Sequence, residues 1–214
     1  MNNLFSVFDP STGIFSLNWA STLLFLMMPM SYWNINNKLL FIMNLMMMSI
    51  SLEIKMLTKS QKMSMIMVSM FMFILINNVM GLFPYVFTPT SHLVCSLPMA
   101  LTMWMSMMIF GWTKKTNDML CHLVPTGTPS MLIPFMVIIE SISNIIRPGS
   151  LAVRLSANMI AGHLLMTLLG NNTSGMLMWM FMWLFLGLMM FEMAVAFIQS
   201  YVFMTLTSLY SSEI

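Results

Sequence analysis

The chain has 214 residues, of which 59% are hydrophobic and 7% charged, and its formal net charge is +2. A soluble domain carries about 25% charged residues, so a water-facing domain of any size is excluded. With eight basic side chains in the whole chain there is no basic patch for nucleic acid, and the class is an all-α polytopic protein bathed in the lipid bilayer.

Residues 1–16 are polar and turn-rich around Asp9 and Pro10, and lack the basic start of a signal or transit peptide. Residues 17–36 form a first spanning helix, interrupted by Pro29. Residues 38–62 are apolar but carry Lys38, Glu53, Lys55, Lys59 and Lys62, which reads as an amphipathic helix along the interface. The alternative is a poor spanning helix with snorkelling lysines. Residues 63–112 read as a spanning hairpin, 63–83 and 93–112, joined by a short uncharged loop reaching His92. A polar loop follows over 113–129, with turn signals from Thr126 to Pro129.

Charge sets the orientation. Four of the eight basic residues lie in 38–62 and two more are Lys114 and Lys115, so both stretches belong on the inner side and the N-terminus outside. The C-terminal part, 130–210, holds two apolar runs, 130–169 and 176–210, around a turn at 170–175. As helices these runs are about 60 and 52 Å long, against a hydrocarbon core of about 30 Å. Either each breaks in two, with Pro148-Gly149 as the break in the first, or the pair forms a long, strongly tilted helical hairpin. The second run has no proline, which favours the hairpin.

Arg154 stands out in this background, because a guanidinium cannot shed its charge and costs about 2.5–3.5 kcal/mol at the centre of a membrane helix on insertion scales. Glu140, Asn144, Arg147, Leu151, Arg154 and Asn158 advance in steps of four and three, which puts them along one helical face. His163 lies on the opposite face, nearer the outer end. In the last run Glu192 and Gln199 share a face. Contacts that merely glue membrane helices average about 0.6 kcal/mol and do not require two arginines. Glu140, His163 and Glu192 can bind and release protons, while Asn144, Asn158 and Gln199 can hold water. Arg154 suits a fixed positive charge that repels protons, holds a carboxylate ionised and keeps two proton paths apart. Counting back from the 170–175 turn brings Glu192 level with Arg154, so its carboxylate partner is Glu192 or an acid on another subunit. Arg147 abuts Pro148 and can pair locally with Glu140. Asn77 and Asn78 either line a channel or cross-link helices.

The 33 methionines are spread over every apolar segment, as expected of a flexible filler rather than a metal cluster. Cys95 and Cys121 have no metal spacing and need not pair. Neither a cofactor nor a metal is called for.

Several runs carry a resemblance: NNVMGLFPY at 77–85, HLVPTGTP at 122–129, IESISNIIRP at 139–148, LAVRLSANMIAGH at 151–163 and QSYVF at 199–203. With them the chain resembles subunit a of the F-type ATP synthase, in its mitochondrial form, over nearly its whole length. The resemblance implies a proton-translocating stator subunit that makes no ATP itself. It implies Arg154 facing the carboxylates of a rotating c-ring, His163 and Glu192 as the relay of one half-channel and Glu140 as the acid of the other. Asn158 and Gln199 become polar companions near the arginine, and the last two helices a steep hairpin against the ring. It further implies a place in the mitochondrial inner membrane, with the N-terminus in the intermembrane space and the 38–62 helix on the matrix side. The implied partners are the c-ring, the peripheral-stalk subunit b and other membrane subunits. Two other classes are weighed: a haem- or quinone-binding respiratory subunit, disfavoured because only His163 lies within a helix, and a self-contained secondary transporter, disfavoured by the lack of an internal repeat.

Overall fold

The computed structural model describes residues 4–27, 37–58, 60–124, 127–171 and 178–213. Among these residues the regular structure is entirely helical. In chain order come α1 (Lys38–Thr58), α2 (Gln61–Gly81), α3 (Leu93–Lys114), α4 (Thr116–His122), α5 (Ile133–Asn171) and α6 (Met178–Glu213). Short 3₁₀ turns cover Leu4–Phe8, Pro89–Ser91 and Ser130–Leu132, and a longer 3₁₀ segment covers Leu17–Met27. Among the described residues, α1, α2, α3, α5 and α6 are long and apolar enough to cross a membrane.

The elements depart from the sequence expectations in physical detail. Leu17–Met27 has 11 residues, about 22 Å of 3₁₀ rise, which is short of a span. Pro29 and the rest of that expected helix, 28–36, lie outside the described residues. The stretch 38–62 divides at Ser60, whose backbone is extended at φ −121°, ψ 127°. Lys62 therefore belongs to the first turn of α2. α1 buries a narrow stripe that includes Leu40 and Ile54, and exposes Phe41, Leu45, Met48 and Leu52 around the remainder. Its apolar character extends nearly all round, with charge only at its ends, so it has the composition of a spanning helix as much as of an interfacial one. The polar 113–129 loop contains α4, whose sequence TNDMLCH gives no hydropathy signal; positions 125 and 126 lie outside the described residues, as does the turn beyond Asn171.

α5 is one helix of 39 residues and runs unbroken through Pro148. The proline removes only the N–H that would reach the Asn144 carbonyl. α6 has 36 residues. At 1.5 Å per residue the two are about 58 and 54 Å long. To remain within a hydrocarbon core of roughly 30 Å each must lie about 55–60° from the membrane normal.

Packing explains which face of this long hairpin is covered. α3 lies along α5 and α2 along α6, while α5 and α6 also touch, so the α2–α3 hairpin backs the α5–α6 hairpin. One core joins Met67, Phe71 and Leu75 of α2 to Met103 and Met107 of α3, Ile54 of α1 and Met204 of α6. A second joins Ile74 and Ala100 to Leu151, Ala152, Leu155 and Phe203. Small side chains at Ala100, Ala152, Ala196, Ser200 and Ser208 are buried at these crossings, where lipid gives helices no hydrophobic reason to associate and close approach supplies the dispersion energy instead. Methionine fills the gaps at Met67 and Met204 and equally faces outward at Met48 and Met56.

The loop after α2 is exposed over 83–85 and then turns into the bundle. Thr88, Pro89, Thr90 and Ser91 are buried between α2, α3 and α5. Two of its hydroxyls pair within the turn: the Ser91 hydroxyl donates to the Thr88 carbonyl at 2.7 Å, and the Thr88 hydroxyl donates to Ser91 Oγ at 3.1 Å.

Candidate functional site

The uncovered face of α5 carries Ser150, Val153, Arg154, Ala157, Ala161, Leu165 and Leu168, all exposed. Leu151, within the expected stripe, and Leu155 beside it are buried. The stripe is therefore unevenly exposed along its length. Successive heptads drift by about 20°, which leaves Glu140, Asn144 and Arg147 at an intermediate position and carries Arg154 onto the open side. Among the described residues Arg154 has no ion-pair partner. Asn158 and Gln199 are half-buried at the edges of the same face. On α6, Gly187, Met190, Ala194, Ile198 and Tyr201 are exposed, with Tyr201 on the side that meets α1.

Glu192 is buried, and its carboxyl group rests against the backbone of Gly162, in the space a side chain there would occupy. This overturns the register obtained by counting from the turn. Glu192 lies level with Gly162, eight residues or about 12 Å along α5 from Arg154, and is not its partner. At the other end the Arg147 guanidinium sits over the Tyr210 ring, 4.9 Å from its centre. In an antiparallel pair aligned at these two points, Arg154 comes level with residues around 200, so Gln199 and not Glu192 shares its depth. The counting failed because it took the two helices to start flush at the turn; α6 is instead displaced by two to three turns.

His163 follows Gly162 and is buried, with its Nε2 lacking a hydrogen-bond partner among the described residues. It lines a cavity of about 670 Å³ at the end of the bundle, between the connection after α2 (residues 82–87), the C-terminal part of α5, Phe185 and Met189 of α6, and the N-terminal segment. The Phe8 ring meets the imidazole edge-on at 6.0 Å. A second cavity of about 490 Å³ lies at the opposite end, among Trp104, Trp112, His122, Glu140, Asn144, Arg147 and Tyr210. There Arg147 Nη2 pairs with Glu140 Oε1 at 3.7 Å. Along α5, Arg154 is about 21 Å from Glu140 and about 14 Å from His163, between the two cavities.

Asn77 and Asn78 are buried at 2% and 0% exposure. Asn77 Nδ2 donates to the Phe73 carbonyl of its own helix at 3.0 Å, while Asn77 Oδ1 and both side-chain polar atoms of Asn78 have no partner among the described residues. Thr90 and Ser96 also have buried hydroxyls without a partner among the described residues, and buried polar groups of this kind are suited to bound water. Sequence reasoning missed the Gly162 seat, Tyr210 and the Phe8 contact. Gly162 was legible as a small residue beside His163, but its occupant was not.

The family model described as ATP synthase A chain matches residues 12–212. The chain belongs to this family. It is 51% identical to ATP synthase subunit a of Aedes albopictus, covering 100% of this chain and 99% of that protein. It is similarly 52% identical to ATP synthase subunit a of Drosophila melanogaster and 51% to that of Locusta migratoria, each with 100% of this chain and 99% of the relative aligned. Family membership displaces the haem-subunit and secondary-transporter alternatives, and makes the all-α polytopic architecture that of an ATP synthase membrane subunit.

Proposed function

We propose that the chain is the proton-translocating stator subunit of a mitochondrial ATP synthase, supplying two offset half-channels that meet at a rotating ring of carboxylates. The observation that carries this reading is one charge between two cavities: Arg154, exposed and unpaired among the described residues, lies between a cavity with His163 at one end of α5 and a cavity with Glu140 at the other. A proton enters through the His163 cavity, passes to Glu192 seated beside it and neutralises a carboxyl group on the c-ring. After nearly a full turn the ring releases it into the Glu140 cavity, where Asn144 holds water and Arg147 tethers the acid.

Arg154 keeps the paths apart. Its charge draws the proton off each approaching carboxylic acid and excludes a bare proton from crossing directly. Gln199 and Asn158, level with it, orient water. The open face of α5, with Ser150, Ala157 and Ala161, suits close approach of another helix, here the c-ring. Subunit b and the other membrane subunits contact the remaining exposed surface. The chain itself performs no phosphoryl chemistry; coupling is its contribution. We place it in the inner membrane as a multi-pass protein with the N-terminus in the intermembrane space.

The test is Arg154→Ala in the assembled complex, assayed for ATP-driven proton pumping and for passive proton leak. The reading requires pumping to be lost and leak to rise. Coupled pumping at the parental rate sinks it.

A further inference from the structure

We propose that residues 5–18 form the outer wall of the His163 cavity, that Asp9 is the carboxylate collecting protons at its mouth, and that His92 is the positioning residue holding this wall closed over His163. This rests on the half-channel reading and adds the mouth to it.

Hydropathy and motif assign the N-terminal segment no task, and a chain terminus is ordinarily loose unless tied down. Here it is tied to the bundle at two points and braced by one bond of its own. The His92 Nε2–H donates to the Phe8 carbonyl at 3.0 Å, the Asn18 side-chain amide donates to the Asp9 carbonyl at 3.2 Å, and the Phe8 ring packs edge-on against His163. His92 is itself held between aromatic rings, stacked on Phe87 at 5.3 Å and against Trp19 at 5.5 Å. Ser6, Val7, Asp9 and Asn18 consequently line the cavity opposite His163.

Asp9 is the only charged residue lining it among the described residues; the other titratable groups facing the space are His163 of α5 and Tyr85 of the α2–α3 connection. Tyr85 stands fully exposed with a left-handed backbone, φ 68°, a conformation that concentrates at functional sites. One carboxylate at the entrance of a cleft with apolar walls focuses the local field and raises the concentration of the cation delivered there. The cation here is the proton, and it has a buried, unpartnered imidazole nitrogen to reach.

The test uses the assembled ATP synthase in sealed inner-membrane vesicles, with equal complex content verified on native gels. ATP synthesis is measured against the pH of the proton-entry side at constant membrane potential. Asp9→Asn lowers the rate by about tenfold, the low end of the gain from a charge-lined cleft, where protons are scarce, and the deficit closes as that side is acidified. A profile superimposable on the parent overturns the proposal. His92→Ala lowers the rate in the same pH range and His92→Gln, whose amide still donates to the Phe8 carbonyl, recovers it; equal profiles for the two remove His92 from the role.

Should Asp9→Asn fail to assemble, Ser6→Cys gives a second readout. A membrane-impermeant methanethiosulfonate added on the entry side slows proton uptake relative to the treated parent, and full rate after complete labelling counts against the wall. Glu192→Gln separates the two levels. If it supports normal synthesis, the half-channel reading itself fails; if it abolishes synthesis while Asp9→Asn is silent, only the mouth proposal fails.

Discussion

Gly162→Ala is the sharpest perturbation the fold offers. A Cβ on residue 162 would lie 2.5 Å from Glu192 Cδ, about an ångström inside an ordinary contact of 3.4 Å. The α5 backbone is held by its own helix, so the carboxyl group must yield by roughly that amount. Misplacement of a reacting group by about 1 Å can cost about 10²-fold in rate, so ATP-driven pumping is expected to fall to the order of a hundredth of the parent. The loss cannot come from a weakened helix, because glycine inside a helix is about 0.5–1 kcal/mol worse than alanine. Pumping by vesicles containing equal amounts of assembled complex is the assay. The companion change Glu192→Asp withdraws the carboxyl by one methylene, so the double variant Gly162→Ala/Glu192→Asp is expected to recover part of what Gly162→Ala loses. Parental pumping by Gly162→Ala, or strictly multiplicative losses in the double variant, would refute a working position for Glu192 on the Gly162 seat.

Packing sets three further outcomes. Gly81→Ala brings a Cβ to 2.6 Å from the Thr88 methyl, and is expected to cost about 1–3 kcal/mol by overpacking the buried turn; a lower thermal midpoint of the detergent-solubilised complex, restored by Thr88→Ser, checks it. Tyr210→Leu removes the ring beneath Arg147, a contact of about 0.5–1 kcal/mol, so pumping slows by no more than about fivefold; complete loss would give Tyr210 a direct part in proton release. Glu53 accepts a hydrogen bond from the Tyr201 hydroxyl at 3.1 Å on an exposed surface, and Glu53→Gln, which keeps an acceptor, leaves pumping and stability near parental; a pumping defect would place Glu53 on the proton path.

The helices of the long hairpin were legible because mostly apolar runs of 35 to 40 residues leave a backbone in lipid little choice but to bond internally as helix. Arg154, His163, Glu140 and Glu192 were legible because isolated ionisable groups in apolar sequence are rare. What sequence could not supply was how elements dock. Glu192 met Gly162 instead of Arg154 because the stagger of α5 and α6 depends on packing against α2 and α3, which no count from the turn contains. Pro148 left α5 intact because one missing hydrogen bond is outweighed by the rest of a supported helix. Residues 5–18 carry no helical or strand period, so only the contacts of Phe8 and His92 reveal where they go. α4 was hidden by polarity, and the division of 38–62 at Ser60 by the apolar sequence on both sides of it.

The unbroken course of α5 has a geometric consequence. Glu140 and His163 ride on one rigid rod, about 35 Å apart along its axis. If that rod lies about 60° from the membrane normal, the separation resolves into roughly 30 Å sideways and only about 17 Å in depth. The two access points are then spread around a rotor's circumference rather than stacked across the membrane. A broken or upright helix with the same residues would superpose them, and a carrier could load and unload without moving. On the half-channel reading, the sideways spacing that makes rotation obligatory is thus a property of helix continuity and inclination, and no single side chain encodes it.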